Sequence, residues 1–314
     1  MSFLLDEDKT WSQRDFGLDG RLVKALSKLG FIYPTMVQAK CIPIALQGKD
    51  VLVRARTGSG KTLAFALPVL HKLLVEKSGK QTETSKIRAL VLAPTKELCK
   101  QIEKHITDAL YYCKDLISIC SLSDDSTSVQ QYRLKSRPDI VISTPARIVE
   151  HIRSNTVDLK HVQSLVIDEA DLVLSFGYAE DVQIITSKMP KIFQGLLMSA
   201  TLSPELDKFK RVLLHNPAVL KLEESKSVGH LLQFYLSSTE DDKYLTLYVF
   251  LKLGLLQGKG LIFVNDIDKC YKLKLFLQQF FISAAVLNAE VPLNSRIHII
   301  EEYNRGVFDY LIAT

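Results

Sequence analysis

The chain has 314 residues, of which 47% are hydrophobic and 24% charged, with a net charge of +5. That length holds roughly two domains, and that balance supplies packed cores and excludes a wholly disordered chain. The mild excess of Lys and Arg permits contact with nucleic acid, but no long basic block forms a tail dedicated to it.

Residues 1–15 read as a lead-in, acidic early on and without the basic start of a signal peptide. Over 16–30, Leu18, Leu22, Val23, Leu26 and Leu29 recur at helical spacing, and Gly30 ends the run. Pro34-Thr35 opens a second helix reaching 46, with Pro34 in its first turn. An apolar strand at 51–53 precedes a helix at 63–74. Strands at 89–93, 116–121, 139–143, 162–167 and 195–198 then alternate with helices at 96–112, 129–135, 146–153, 182–189 and 205–214. Apolar strands separated by helices predict a parallel sheet covered on both faces. Residues 216–229, with Pro217 and the polar run Glu223-Glu224-Ser225-Lys226-Ser227, break the rhythm as a linker. The alternation resumes with strands at 231–236, 260–264, 284–287 and 310–313 and helices at 242–253, 267–280 and 294–303. The expected fold is α/β, with domains at 16–222 and 231–314 joined by a linker at 223–230. Cys41, Cys99, Cys113, Cys120 and Cys270 show no Cys-x-x-Cys pair, which argues against zinc and for reduced thiols in an intracellular protein. Lys252 breaks the apolar run 247–256, so no stretch spans a membrane.

The most informative stretch is 50–62, Asp-Val-Leu-Val-Arg-Ala-Arg-Thr-Gly-Ser-Gly-Lys-Thr. A strand, a loop holding Thr57, Gly58, Ser59 and Gly60, then Lys61-Thr62 and a helix form the layout of a phosphate-binding loop. Glycines let backbone N–H groups turn toward an anion, and the helix start adds its dipole. Lys61 is placed to reach the β- and γ-phosphates and Thr62 to ligate Mg²⁺. Ala55 stands where the strict pattern has Gly. A second signal follows the strand at 162–167. Asp168 is placed to hold Mg²⁺ through water, and Glu169 to orient or deprotonate an attacking water. An Asp-Glu pair after a strand also suits a helix N-terminal cap; Lys61-Thr62 in the same chain favours the metal-binding reading.

Three segments together, Ala-Arg-Thr-Gly-Ser-Gly-Lys-Thr at 55–62, Asp-Glu-Ala-Asp at 168–171 and Ser-Ala-Thr at 199–201, resemble a DEAD-box RNA helicase. So do Gly30-Phe31-x-x-Pro34-Thr35-x-x-Gln38, Pro94-Thr95-Lys96-Glu97-Leu98, Thr144-Pro145-Ala146-Arg147 and Leu261-Ile262-Phe263-Val264-Asn265. The resemblance runs in order from Phe16 to Thr314, and Ala55 is normal for that family. It implies two RecA-like parallel-sheet domains in tandem, ATP and Mg²⁺ as cofactors, and RNA-stimulated ATP hydrolysis coupled to local duplex unwinding. It implies that Phe31 stacks on adenine and Gln38 bonds its edge. Asp171, Ser199 and Thr201 would couple the acidic site to RNA-dependent closure. Pro94, Thr95, Lys96, Thr144, Pro145 and Arg147 on the first domain, and Arg296 and Thr314 on the second, would contact the RNA backbone, which positions RNA without reading its sequence.

Several positions depart from the family pattern. A Gly-Gly pair is missing near Ser123-Asp124-Asp125, where two acids should weaken a phosphate contact. Leu287-Asn288-Ala289-Glu290 replaces Leu-His-Gly-Asp, and Leu293 stands where Gln is usual. Ser175-Phe176-Gly177-Tyr178 and Leu214-His215-Asn216-Pro217 resemble the nucleolar subfamily of large ribosomal subunit assembly, which implies a nuclear, nucleolar protein meeting pre-ribosomal particles as a monomer. Family members continue beyond Ala313-Thr314 into an arginine-finger segment. The 314 residues therefore read as C-terminally truncated, with the second domain incomplete. The alternative function is an ATP- and RNA-binding module with little hydrolysis.

Overall fold

The computed structural model describes residues 5–6, 10–11, 16–79, 85–123, 126–201, 203–222 and 232–314. The chain divides into two compact units, Met1–Ser225 and Lys226–Thr314. The linker expected at 223–230 lies outside the described residues.

The first unit is built on a parallel sheet of β1 (Val51–Arg54), β2 (Ala89–Leu92), β3 (Ile119–Ser121), β4 (Ile140–Ser143), β5 (Ser164–Ile167), β6 (Gln194–Ser199) and β7 (Ala218–Lys221). Their order is β3-β4-β2-β5-β6-β1-β7. Every residue of β2, β4, β5 and β6 is buried, which is why these segments read as unbroken apolar runs. Successive side chains alternate between two cores. Val53, Val91, Ile142, Val166 and Met198 point to one face, while Leu52, Leu92, Val141, Leu165 and Leu197 point to the other.

The first face is covered by α1 (Gly20–Lys28), α2 (Met36–Leu46), α3 (Lys61–Ser78) and α4 (Lys96–Ala109). The second packs against α5 (Thr127–Lys135), α6 (Pro145–Arg153), α7 (Ala170–Ser175), α8 (Ala179–Ser187) and α9 (Pro204–Leu213). Polar caps set several starts. Asp19 accepts from the Arg21 N–H, Thr95 from Leu98, and Ser203 from Leu206. Thr35 forms a reciprocal capping box with Gln38. Pro34 therefore stands before the cap, outside the helix whose first turn it was expected to occupy.

Two further expectations change. Residues 218–221, read as part of a break, form β7, because its backbone pairs in parallel with β1 from Val51↔Ala218 to Arg54↔Lys221. The lead-in contributes to the core: Trp11 is buried with its ring 5.3 Å from that of Phe16, and Leu5 bridges Thr35.

The second unit contains α10 (Lys243–Lys252), β8 (Gly260–Phe263), α11 (Ile267–Gln279), β9 (Ala284–Leu287), α12 (Leu293–Arg305) and β10 (Tyr310–Ala313). Its parallel sheet has the order β8-β10-β9. Cys270, Leu273, Leu277, Val286 and Ile312 form a small core. The strand expected at 231–236 is not formed over 232–236, and Leu232, Phe234, Tyr235 and Leu236 are exposed. Alternation supplies a side-chain pattern, but a strand also needs a ladder, and no neighbour is paired with this segment among the described residues. All five cysteines are free and buried. Among the described residues no helix is long and apolar enough to cross a membrane.

Candidate active site

β1 ends at Arg54, and the chain turns through Thr57 to Gly60 into α3. Gly58 and Gly60 take φ of 78° and 89°, the left-handed region that side chains disfavour. At Gly60 space also matters: an added Cβ would lie 2.7 Å from Gln38 Nε2 and 2.9 Å from Thr35 Oγ1. Gly60 offers α3 no side-chain cap, so the helix's first N–H groups and its positive dipole end face the loop. Ser59 turns inward, its hydroxyl donating to the Arg56 carbonyl at 2.7 Å.

A cleft of ≈ 870 Å³ opens over this loop. Its walls include Phe31, Gln38, Thr57, Gly58, Gly60, Lys61, Thr62, Asp168 and Glu169. Sequence reasoning missed Leu98, Gln101 and His105, which α4 adds to one wall. Their i, i+3, i+7 spacing marks one helical face, but only the packing of α4 shows which face meets the cleft. Phe31 is 44% exposed, so it is not a core aromatic. Gln38 is buried; its Oε1 accepts from Thr35 N at 2.8 Å and its Nε2 donates to the Gly60 carbonyl at 3.1 Å. One amide N–H and one lone pair of Gln38 remain for a further partner.

β5 delivers the acids. Asp168 is buried, and burial pushes its carboxyl up to about 6 against the pull of the Lys61 ammonium. Its Oδ1 accepts from the Glu169 N–H at 3.0 Å. Glu169 stands at the cap position of α7 with φ 47° and makes no side-chain cap bond, so its carboxylate is not spent on the helix. Burial raises its pKa too, again opposed by Lys61. Lys61 is buried and donates to the Ala55 carbonyl at 2.7 Å; burial lowers its pKa, with Asp168, Glu169 and Asp171 pulling it back. The donor set suits a magnesium–phosphate group: buried carboxylates disfavoured as charges gain a cation, and a lysine held on a carbonyl gains an anion. Thr62 and Asp168 are the residues that would hold the metal.

The loop is tied to the Ser-Ala-Thr segment. Ala55 N–H donates to the Ser199 carbonyl at 3.0 Å, and Ser199 Oγ to the Thr201 carbonyl at 2.7 Å. Thr201 donates to Asp171 Oδ2 from its N–H at 3.0 Å and its hydroxyl at 2.9 Å. A continuous bonded path thus runs from Lys61 through Ala55, Ser199 and Thr201 to Asp171.

Beside the cleft, the register of β2 with β4 pairs Leu92 with Ser143, which sets the two following segments next to each other. Pro94-Thr95-Lys96 opens α4, and Thr144-Pro145 opens α6. Thr95 accepts from Leu98 N and keeps its O–H; Thr144 makes no side-chain cap bond. Lys96 is exposed. Arg147 is braced by Glu150 at 2.6 Å and Thr127 at 3.3 Å. Ser123 is buried against Ser121, while Asp124 and Asp125 lie outside the described residues. Arg296 and Thr314 belong to the second unit, on α12 and after β10. Asn288, also in that unit, is buried, with its Oδ1 accepting from the Glu290 N–H.

Comparison with known proteins agrees with this geometry. The chain is 48% identical over 316 residues to the probable ATP-dependent RNA helicase ddx56 of Dictyostelium discoideum, covering 100% of this chain and 46% of that protein. It is 48% identical over 298 residues to the ATP-dependent RNA helicase dbp9 of Aspergillus niger, covering 94% of this chain and 48% of that protein. The chain thus spans about half the length of the curated relatives it matches. The S. cerevisiae Dbp5 structure bound to RNA and ADP BeF3 shares the fold, with a TM-score of 0.79 at 22% identity over 96% of this chain and 75% of that one. The sequence profile described as DEAD/DEAH box helicase matches residues 35–209, more than half of the molecule, and the chain belongs to that family.

Proposed function

We propose that this chain carries the ATP-binding machinery and part of the RNA-binding surface of an ATP-dependent RNA helicase acting on pre-ribosomal particles in the nucleolus. One observation carries the reading: Phe31, Gln38, Lys61, Thr62, Asp168 and Glu169, spread over 139 positions of sequence (169 less 31, inclusive), line a single cleft. The relatives' names support the substrate class.

Bound MgATP would supply the scissile phosphoanhydride and a cation to screen its charge. The residues would then act as follows. Phe31 stacks on the base, and the free N–H and lone pair of Gln38 meet its edge. The first N–H groups of α3 and the Lys61 ammonium hold phosphate, so Lys61 exchanges the Ala55 carbonyl for a phosphate oxygen. Glu169, free of any cap bond, orients the attacking water and takes its proton. Because Lys61 lets go of Ala55, the path through Ser199 and Thr201 to Asp171 carries the change toward the RNA side. There Thr95, Lys96, Thr144 and Arg147, with the helix starts behind Pro94 and Pro145, grip backbone phosphates. Residues 16–222 act as the ATP-binding domain; 231–314, with Arg296 and Thr314, act as part of the second domain of a monomeric enzyme.

RNA-stimulated ATP turnover tests the reading. Lys61→Ala and Glu169→Gln should each abolish it. Unchanged turnover in Glu169→Gln would defeat the assignment. The 314-residue chain itself should hydrolyse ATP; nucleotide and RNA binding without turnover would establish a binding module instead.

A further inference from the structure

At the opposite end of the first sheet from the loop, a second cleft of ≈ 540 Å³ has Lys86, Lys135, Arg137, Lys160 and Lys188 on its walls, with Asp158 the one acid among its described lining residues. None of the five cations has an ion-pair partner among the described residues. Asp158 accepts from the Lys160 backbone N–H at 3.1 Å rather than from a side chain.

The topology sets these cations in a row. Arg137 precedes β4, Lys86 precedes β2, Lys160 precedes β5, and Lys188 closes α8 before β6. Those four strands are consecutive neighbours in the sheet. At about 4.8 Å per strand the row spans roughly 14 Å. Cations at helix C-termini offset the helix dipole, which accounts for Lys135 and Lys188. It does not account for Arg137, Lys86 and Lys160, which stand in the segments leading into strands.

We propose that this edge is a second RNA-backbone site, separate from the nucleotide end. A row of charges matches a chain of phosphates better than a single anion. Lysine outnumbers arginine four to one, whereas protein interfaces are depleted in lysine, so an acidic protein partner fits less well. No Phe, Tyr or Trp lines the cleft among the described residues, so bases are not stacked and sequence is not read. The site holds RNA that extends past the segment gripped beside the ATP cleft. This inference rests on the RNA-helicase reading.

The test compares the wild-type chain with the triple variant Lys135→Glu, Arg137→Glu, Lys188→Glu, using a long and a short single-stranded RNA of random sequence in salt titrations. Loss of roughly tenfold in affinity for the long RNA is expected, with a log–log salt slope shallower by about 2, at about 0.7 per lost phosphate contact. Binding of the short RNA and of ATP should stay at wild-type strength, which separates this site from the one beside the cleft. Equal long-RNA affinity in both proteins overturns the proposal, as does a parallel loss for both RNAs. Polyglutamate binding the wild type more tightly than the long RNA would overturn it in favour of an acidic protein. Photocrosslinking of thiouridine RNA to the wild-type chain gives a readout independent of the variant's folding: crosslinks in peptides carrying Lys135, Lys160 or Lys188 support the site, and crosslinks confined to the segments around Thr95 and Thr144 overturn it. Failure of the wild type to bind either RNA would instead strike the helicase reading.

Discussion

The two ends of the first sheet bury aspartates, Asp139 and Asp50 at one and Asp168 at the other, and use them in opposite ways. Asp139, entering β4, is 2% exposed and accepts from Arg88 Nη1 at 3.0 Å, Lys77 Nζ at 2.6 Å, and the Ser118 N–H and hydroxyl at 2.8 and 2.9 Å. Asp50, entering β1, accepts from the N–H groups of Gly195 and His215 at 2.8 and 2.6 Å. Asp168, leaving β5, is 3% exposed and its carboxylate accepts only from the Glu169 N–H among the described residues. A buried carboxylate surrounded by donors acts as a tie between elements. One left short of donors is held at a raised pKa and stands ready for a cation.

The largest expected effect breaks this contrast on its chemical side. Glu169→Gln should lower kcat about 10²–10⁴-fold while ATP still binds, as read by single-turnover hydrolysis and nucleotide titration. On the structural side, Asp139→Ala removes one partner of the buried Arg88 guanidinium, which retains Glu76 at 3.4 Å, and a carboxylate partner of Lys77. It should cost about 3–5 kcal/mol of stability in urea denaturation, with turnover per folded molecule unchanged.

A smaller effect sharpens the comparison through pH. The folded-state pKa of Asp168 lies near 6, above its ordinary value of 3.8. The folded chain therefore holds an extra proton between those limits. That stabilising contribution is complete below 3.8 and is lost as pH rises through about 6. Nucleotide-free stability measured across this window should fall more steeply in the wild type than in Asp168→Asn. The smallest change is expected for Gln38→Ala. Losing the capping box should lower stability by about 1 kcal/mol, and preference for ATP over GTP should weaken in competition binding. Unchanged nucleotide preference would leave Gln38 as a cap alone.

Much of this was legible from residue order. The strand–loop–helix at 50–62 and the acids after an apolar strand were placed correctly because each depends on local rules: glycine at positive φ, an apolar run buried on two faces, an acid at a strand end. The failures came where a partner was needed. Residues 218–221 are a short run between Pro217 and the polar stretch at 223–227, which reads as a break, yet β1 offers them a ladder. Residues 232–236 have the pattern and no ladder among the described residues. Trp11 sat in a stretch with no periodicity, and its burial depends on Phe16 and the surrounding core.

Sequence alone carried the resemblance to the family, through motifs spread along the chain, and placed the glycine loop and the acids, since these last follow from short-range spacing and backbone freedom. Tertiary structure decided which of the buried aspartates is spent on hydrogen bonds, that Lys61 rests on Ala55, and that Gln38 braces Gly60. It also decided that cations from four separate segments stand in one row. Each of these is a contact between residues distant in sequence, set by strand order and helix packing rather than by any local preference.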